Sequence, residues 1–300
     1  MARPATIALA LGAAVVVGVG VVVLAEDPQQ AVPLAVVNPP SPTPTASPAS
    51  PAPTPTPSES AAPAAPITPV PAEVITNGPR DVPKVAITFD TAYSAETDAL
   101  VTSGAIGPQY NAAVLDYLDA TSTPATVFVT GLWGEQYPDA MKRLAATSTI
   151  ELGNHTWSHA GWAGECYGLP QPGDVENQKL EIGRTAMLIA GYTGRAPSLI
   201  RFPALCHDPA DVALAAEFGE YTVDTDIGLN DTGVTEAAPV AAGILEQVQP
   251  GSIILLHLNG PPNTPATVEI LNQLVPGLQA KGLTPVTVSE LIAPVAPPAS

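Results

Sequence analysis

The sequence predicts a mostly parallel α/β domain, of the barrel type, over residues 80–294. Two observations lead to this fold class. Short apolar runs alternate with amphipathic stretches about seven times within about 215 residues, which is the pattern of repeated strand–helix units. Polar residues of the kinds that perform chemistry directly follow several apolar runs, and the carboxyl ends of parallel strands share one edge of the sheet.

The predicted strands are apolar runs that are too short to be helices. The run at 85–89 reads Val-Ala-Ile-Thr-Phe, the branched and aromatic composition of a buried strand, and the run at 126–129 is similar. The other predicted strands lie at 149–152, 199–202, 221–223, 252–256 and 284–286.

The predicted helices place apolar residues on one face. Residues 110–120 have Val114 and Leu118 four positions apart, and the stretch 175–190 ends before Gly191, a residue type that terminates helices. The other predicted helices lie at 138–146, 209–218, 239–247 and 267–281, and a closing turn follows at 288–292.

The first 25 residues differ in composition from the predicted domain. Residues 6–25 are apolar and uncharged, and they follow Arg3. We interpret residues 1–25 as a secretory signal peptide or as an uncleaved membrane anchor. Both interpretations place the rest of the chain outside the cytoplasm, either secreted or anchored to the cell membrane.

Residues 26–79 form a predicted linker. There are 15 prolines between Pro28 and Pro71, with threonine, serine and alanine between them. Such a segment has little apolar surface to bury and few backbone donors, so it is expected to be disordered and extended.

The chain is strongly acidic, with 28 acidic and 10 basic residues and a formal net charge of −18. A domain of this charge has no electrostatic attraction to nucleic acid. Its ligand is therefore expected to be neutral or cationic.

The chain has two cysteines, Cys166 and Cys206. In an exported domain we expect them to form a disulfide, and closing a loop of about 40 residues contributes roughly 4 kcal/mol by the chain-entropy estimate. Two buried free thiols are the alternative. No Cys-x-x-Cys spacing supports metal ligation by Cys166.

Two of the four histidines, His155 and His159, lie four residues apart, just after the predicted strand at 149–152. We expect His155 at the end of the strand and His159 one turn onward. This spacing can direct two imidazoles at one cation, but it also fits two polar residues on a solvated helix face.

Other polar residues follow predicted strands in the same way. If the strands are parallel, all of them lie on one rim, and folding needs alone do not explain that placement. The residues are Asp90, His155, Arg201, Asp224, Asp226 and His257.

These residues resemble the motifs of the polysaccharide deacetylases that have a NodB-homology domain, carbohydrate esterase family 4. The resemblance covers residues 80–294. In order, the matching motifs are Thr88-Phe89-Asp90, His155-Thr156-Trp157-Ser158-His159, Arg201-Phe202-Pro203, Asp224-Thr225-Asp226 and Leu255-Leu256-His257. The resemblance implies a distorted (β/α) barrel that hydrolyses N-linked or O-linked acetyl groups on a glycan, such as peptidoglycan or a chitin-like polymer. It also implies a divalent metal, usually zinc.

The resemblance assigns a role to each motif. Asp90 would be the base that takes a proton from water, and Arg201 would orient it through a charge-assisted hydrogen bond. His155 and His159 would hold the metal.

The resemblance makes His257 the acid that protonates the leaving group. A neighbouring carboxylate would keep this imidazole cationic, and Asp224 or Asp226 is the candidate for it.

The first motif departs from the family pattern. The family has a second aspartate, a metal ligand, where this chain has Thr91. A neutral hydroxyl is a poor ligand, so Asp90 itself, Glu96, Asp98 or a water molecule would have to fill the position. The stretch 92–109 is also longer than the resemblance leads us to expect, and it could form a lid or supply the missing ligand.

Two further departures lie in later motifs. Ala204 replaces a tyrosine, although its backbone N–H could still stabilise an oxyanion, and Leu258 replaces an acid.

The sequence therefore leaves two main hypotheses: a metal-dependent deacetylase, or a non-catalytic glycan-binding relative that lost its ligand at Thr91. Hydrolysis of another amide, such as a peptide cross-link, also stays open. Trp157 and Trp162 could stack on sugar rings or serve only in packing.

Overall fold

The computed structural model describes residues 68–228, 231–260 and 262–293. Within them, eight strands form one sheet in the order β1-β6-β5-β4-β3-β2-β7, with β8 beside β2, and the strand pairings are parallel. The strands are β1 (Val74–Ile75), β2 (Lys84–Asp90), β3 (Ala125–Val129), β4 (Ile150–Asn154), β5 (Leu199–Ile200), β6 (Tyr221–Val223), β7 (Ile253–His257) and β8 (Thr284–Val286).

Isolated bridges close this sheet into a barrel. Asn77 bridges Ser252 and Ile227 bridges Ile254, which joins the β1–β6 side of the sheet to β7. Asp226 strengthens the closure, because its carboxylate accepts hydrogen bonds from Arg80, from the Ser252 hydroxyl and from the Ile253 N–H. The result is the predicted distorted (β/α) barrel.

Helices cover the outside of the sheet. They are α1 (Ala95–Thr102), α2 (Ala112–Thr121), α3 (Gly131–Gln136), α4 (Pro138–Ala146), α5 (Val175–Thr193), α6 (Pro209–Glu217), α7 (Ala237–Gln247), α8 (Thr267–Ala280) and α9 (Val288–Ile292). Side chains cap several helices: Asp174 accepts from the backbone at the start of α5, and Asp208 and Thr287 form capping boxes at α6 and α9.

Strand β2 shows how the sequence divides the core. Val85, Ile87 and Phe89 belong to the large cluster between the sheet and the helices, whereas Ala86 belongs to a smaller cluster with Phe128. Because successive strand residues point to opposite faces, Ala86 and Asp90 share the inner face of the barrel. This alternation brings Asp90 to the inside at the carboxyl end of β2.

The structure corrects the predicted end of the linker. The prediction extends the linker to residue 79, but β1 pairs with β6 and the Val70 N–H donates to the Ala216 carbonyl. The domain therefore begins before residue 80, because this segment supplies backbone hydrogen bonds to the edge of the sheet.

The predicted segment 1–25 and most of the linker lie outside the described residues. Within the described ranges, no helix has the length and apolar character needed to cross a membrane.

Candidate active site

The carboxyl ends of the strands surround a cavity of about 420 Å³. Four of the predicted site residues line it: Asp90, His155, His159 and His257. Asp90 and His257 are partners in the β2–β7 ladder, so the last residues of two neighbouring strands face the same space. The fold therefore brings these four residues together at one rim of the barrel.

Arg201 lies beneath Asp90 and is fully buried. Its Nη1 donates to Asp90 Oδ1 at 2.9 Å and to Thr88 Oγ1 at 2.7 Å, and its guanidinium carbon lies 4.2 Å from the centre of the Phe128 ring. Nε and Nη2 donate to the carbonyls of Val223 and Asp224. These contacts fix the guanidinium, which in turn fixes one oxygen of Asp90.

The pKa of the Asp90 carboxyl lies below its ordinary value. Burial raises it, but the charges of Arg201, His155 and His257 and the hydrogen bond from Arg201 lower it by more. Asp90 is therefore an anion at neutral pH, with Oδ1 held by Arg201 and Oδ2 directed toward His155.

His155 has a defined tautomer. Its Nδ1 lies 2.7 Å from the Arg201 carbonyl, which only accepts, so Nδ1 carries the proton. Burial lowers the pKa of this imidazole despite the neighbouring Asp90. Nε2 consequently presents a lone pair 3.6 Å from Asp90 Oδ2. Two electron-rich atoms that face each other at this distance favour a cation between them.

His159 lies beside His155, with 5.2 Å between the ring centres. Burial and the neighbouring His155 lower its pKa to about 3, so it is neutral at physiological pH. The expectation of a turn of helix between the two histidines is wrong. Thr156 and His159 have φ values of 64° and 58°, and the segment is an irregular loop.

Polar side chains from β4 and α5 hold this loop. The Thr156 N–H donates to Asn154 Oδ1 at 2.8 Å. The carboxylate of Glu181 accepts from the Trp157 N–H, the Ser158 N–H and the Ser158 hydroxyl, at 2.8, 2.8 and 2.7 Å. Sequence reasoning did not identify Glu181. The sequence signal for it was an acidic residue on the side of the predicted helix 175–190 that faces the sheet.

His257 is paired with Asp231, which corrects the prediction of Asp224 or Asp226. Its Nδ1 donates to Asp231 Oδ1 at 2.7 Å, and Asp231 Oδ2 accepts from the His257 N–H and from the Thr267 hydroxyl. Burial lowers the pKa of His257, but the hydrogen bond and charge of Asp231, together with Asp90, raise it by more. His257 is therefore protonated more readily than an imidazole in water.

The two predicted carboxylates serve elsewhere. Asp226 takes part in barrel closure, and both oxygens of Asp224 lie 3.2 Å from Nε2 of His207. Asp224 contributes to the site only through its backbone carbonyl, which accepts from Arg201. The pairing differs from the prediction because Asp231, which lies farther along the chain than Asp224 and Asp226, contacts both the backbone N–H and the ring of His257.

Thr91 does not replace the aspartate expected at its position. It is fully buried, and its hydroxyl accepts the Thr130 N–H at 2.9 Å and lies 3.2 Å from the Thr130 hydroxyl. It is not among the residues that line the cavity. The hydroxyl therefore ties the end of β2 to the end of β3.

The histidine pair suits a divalent cation, although the protein donors are incomplete. The lone pair on His155 Nε2 and the neutral His159 are the imidazole forms that bind metals. Among the described residues, no group of three or more His, Cys, Asp or Glu side chains is arranged to hold a metal. The stretch 92–109 does not complete the set, because Asp98 bonds the Tyr93 hydroxyl and Glu96 is exposed on α1. Water and Asp90 remain as further donors.

The two predicted aromatic candidates are part of the packing. Trp157 and Trp162 are 8% and 5% exposed. Trp157 stacks under the Arg184 guanidinium, and Trp162 packs edge-on against Phe202. Neither ring offers a free face to a sugar.

The predicted disulfide is present between Cys166 and Cys206. It joins the loop that follows His159 to the turn that contains Ala204 and Leu205, and both of these residues line the cavity.

The residues after His257 also differ from the family resemblance. The acid that the resemblance predicts directly after His257 is replaced by Leu258, which is fully buried. The next residue, Asn259, instead clamps the backbone of Ala92 through two hydrogen bonds.

Comparisons with known proteins identify the family to which this chain belongs. A family model described as polysaccharide deacetylase matches residues 77–223. A chitooligosaccharide deacetylase from Sinorhizobium fredii is 32% identical over 190 residues, which are 58% of this chain and 82% of that protein. The chain belongs to the polysaccharide deacetylase family.

Two other similar proteins carry different substrate names. A peptidoglycan-N-acetylglucosamine deacetylase from Bacillus cereus is 27% identical over 215 residues, which are 72% of this chain and 70% of that protein. A family 4 acetyl xylan esterase from Clostridium thermocellum, solved with a cobalt ion, is 30% identical with a TM-score of 0.53, covering 69% of this chain and 89% of that chain. The match to the family model ends at residue 223, the last residue of β6, so Asp231 and His257 lie outside it and are identified here from the structure.

Proposed function

We propose that the protein is an exported hydrolase that removes acetyl groups from an amino sugar glycan, such as peptidoglycan or a chitin-like polymer. The observation that carries this proposal is that Asp90 and His257 lie side by side at the ends of β2 and β7 and line the same cavity. One is a carboxylate whose pKa is lowered and the other is an imidazole whose pKa is raised. Amide hydrolysis needs a base to take a proton from water and an acid to protonate the leaving nitrogen, both within reach of the scissile bond.

The chain's own residues would divide the reaction between them. Asp90 Oδ2 would take a proton from the attacking water while Arg201 holds Oδ1 in place. The protonated His257 would give its proton to the amide nitrogen as the C–N bond breaks, which releases acetate and a free amine. Asp231 would hold His257 in the orientation and charge state that this step requires. The N–H of Ala204, at the cavity wall, could donate to the developing oxyanion.

His155 and His159 would hold a divalent metal, and zinc fits their imidazole donors. When bound, the metal would polarise the acetyl carbonyl and make water more acidic. The carbonyl of Arg201 would keep Nε2 of His155 free for this contact by fixing the proton on Nδ1.

Metal content and acetate release test this proposal together. Purified protein is expected to retain zinc, cobalt or nickel and to release acetate from an N-acetylglucosamine oligomer. A His155→Gln/His159→Gln variant should retain neither metal nor activity. Met187→Ala, a change at an exposed residue on α5, is the matched control and should behave as wild type. Absence of both metal and acetate release in the wild type would contradict the proposal.

A second candidate function is glycan binding without catalysis. The observation that favours it is Thr91, together with the lack of a three-donor metal group among the described residues. Thr91→Asp distinguishes the two candidates, because it restores the carboxylate that the family resemblance places at this position. Thr91→Asn, of similar shape but neutral, is the control.

The two candidates give different results in this experiment. If the protein is an enzyme, wild type turns over and Thr91→Asp raises metal affinity by about 10- to 100-fold, the range for a well-placed polar partner at a metal site. If the protein only binds glycan, acetate appears with Thr91→Asp alone. Thr91→Asn should give no gain in either case.

Export from the cytoplasm is part of the proposal. The apolar segment 6–25 supports it, and so does the disulfide, since such bonds persist mainly in oxidising compartments. Cell fractionation, with amino-terminal sequencing of the mature protein, would show whether residues 1–25 are cleaved or kept as an anchor. Recovery of the protein from the cytoplasm with reduced cysteines would contradict export.

A further inference from the structure

Tyr167 is exposed in a way that folding does not explain. Its side chain is 87% exposed, the highest value among the large exposed apolar residues of the described chain. It also lines the cavity that contains Asp90 and His257. Burial of a tyrosine ring is a large source of stability, so a ring left in water beside a site contributes to something other than the core.

The loop that carries Tyr167 is rigidly held. Cys166, directly before it, is bonded to Cys206. The Leu169 N–H donates to the Cys166 carbonyl, and the Gly161 N–H donates to the Pro170 carbonyl, both at 2.9 Å. Cys166 also packs so closely on Gly161 that an added Cβ there would lie 2.6 Å from the Cys166 Cβ. The exposure of Tyr167 therefore arises from a braced loop.

The backbone of Tyr167 is itself in an unfavourable conformation. Its φ is 48°, in the left-handed region that residues with a side chain rarely adopt. Such a conformation persists only where surrounding contacts enforce it, and the disulfide and the two backbone hydrogen bonds supply them. The loop thus directs an aromatic side chain to the cavity wall at a cost in local stability.

The surroundings of Tyr167 define the ligand it suits. Leu169 and Leu205 line the same cavity, which gives an apolar wall opposite the polar groups on the strand ends. A pyranose ring fits such a cavity, because the C–H groups on its faces can pack on the apolar wall while the hydroxyls on its edge bond the polar groups. The acidic chain, with net charge −18, also favours a neutral ligand.

We propose that Tyr167 is a sugar-stacking residue, which binds the face of a glycan ring next to the acetylated sugar, and that the Cys166–Cys206 disulfide is the device that positions it. This inference rests on the proposed deacetylase function and names its specificity-determining residue. Tyr167 holds substrate and takes no part in proton transfer. Its loss therefore affects binding in the ground state and in the transition state equally.

Substitution of Tyr167 tests the inference through the separation of KM from kcat. With an N-acetylglucosamine pentamer as probe, Tyr167→Ala should raise KM and the dissociation constant by about three- to tenfold, the range for one aromatic contact, with kcat changed less than twofold. Tyr167→Phe and Tyr167→Trp keep the ring face and should bind as wild type. Alanine retains the left-handed constraint that any residue with a side chain meets, so the backbone is not relaxed.

Two further variants keep the test specific. Met187→Ala removes an exposed apolar side chain of α5 that is not part of the cavity wall, and it should change neither constant. A Cys166→Ala/Cys206→Ala variant, shown by circular dichroism to be folded, should raise KM in the same direction as Tyr167→Ala. In that background Tyr167→Ala should add little further, because the ring is no longer held in place.

The outcomes separate this inference from the proposed function. If the wild type neither binds the pentamer nor releases acetate, the proposed function fails and the inference fails with it. If the wild type is active and Tyr167→Ala leaves KM and the dissociation constant unchanged, the inference alone is overturned. A fall in kcat at unchanged KM would also overturn it, because that result assigns Tyr167 to the chemical step.

Discussion

The cavity and the layer outside the sheet each contain a buried carboxylic acid, and the pKa values of the two acids are shifted in opposite directions. Asp90 lies in the cavity beside Arg201, and its pKa is lowered. Glu220 lies in the outer layer, next to α5, where Asn154 bonds both it and the Ile182 carbonyl. Burial raises the pKa of Glu220 well above its ordinary value, and its Oε2 has no hydrogen-bond partner within the described part of the chain.

The difference shows that a charged group in direct hydrogen-bond contact reverses the pKa shift that burial alone would give to these two acids. Both acids are almost fully removed from water, but only Asp90 faces a guanidinium. The histidines repeat the lesson. His155, whose Nδ1 bonds a neutral carbonyl, has a pKa lowered by burial although Asp90 lies 3.6 Å from its Nε2, whereas His257, whose Nδ1 bonds the Asp231 carboxylate, has a raised pKa. One residue type thus supplies a neutral metal donor on one side of the cavity and an acid on the other.

Removal of the guanidinium is expected to have the largest effect. Arg201→Met should destabilise the fold by about 3–5 kcal/mol, because Asp90 becomes a buried charge without a partner. Activity should be lost as the pKa of Asp90 rises. The free energy of unfolding in urea measures the first effect and acetate release the second.

A double variant provides the control for this prediction. Arg201→Met/Asp90→Asn removes the charge together with its partner, so it should recover part of the lost stability without recovering activity. If Arg201→Met alone were as stable as wild type, the ion pair would not be what keeps Asp90 charged in the cavity.

The second prediction concerns the acid on the other side of the cavity. Asp231→Asn should lower the pKa of His257, since the carboxylate that raises it is gone. His257 acts in its protonated form, so the descending alkaline limb of the kcat/KM profile should move to lower pH. At neutral pH the rate should fall by about tenfold or more, as expected when an orienting carboxylate is replaced by an amide.

The pH profile is the measurement that decides this case. Asp224→Asn is the matched control, because Asp224 pairs with His207 instead of His257. An alkaline limb that moves with Asp224→Asn and not with Asp231→Asn would show that the pairing seen here does not set the charge of His257.

The smallest effect is expected at Glu220 and is one of stability alone. A carboxyl whose pKa is raised on folding stabilises the protein at low pH, and this contribution is lost as pH rises above the ordinary value of 4.5 and through the folded pKa. Glu220→Gln cannot ionise. The difference in free energy of unfolding between wild type and Glu220→Gln should therefore shift in favour of the variant as pH increases from 4 to 8. A difference that is constant with pH would contradict the assignment.

Much of the fold could be predicted from local pattern. The strands at 221–223 and 284–286 and the helix at 138–146 match the observed elements, because short branched runs and amphipathic spacing carry their own signal. β1 was missed because two residues at the edge of a proline-rich stretch give no period. α1 was missed because it has no buried residue, and α3 because glycines interrupt it.

Some residues of the site could likewise be predicted from the sequence, whereas others could not. Asp90, His155 and His257 could be placed in advance because each stands at or directly after the end of a strand, where chain direction alone brings it to the rim. Glu181, Asp231 and Tyr167 could not, since each reaches the site from a helix or an irregular loop. Trp157 and Trp162 stand next to the histidines in sequence, yet the loop turns both rings into the packing.

The sequence by itself determined the alternation of strands and helices, the family motifs and the absence of a second carboxylate at Thr91. Each follows from residue identity and short-range order, which the chain carries whatever its final path. Only the tertiary structure decided that Asp231 and not Asp224 or Asp226 meets His257, that Glu181 holds the histidine loop, and that Tyr167 stands in water at the cavity wall. Three aspartates follow the same strand, and a hydrogen bond selects among them by distance in space, which the order of residues does not specify.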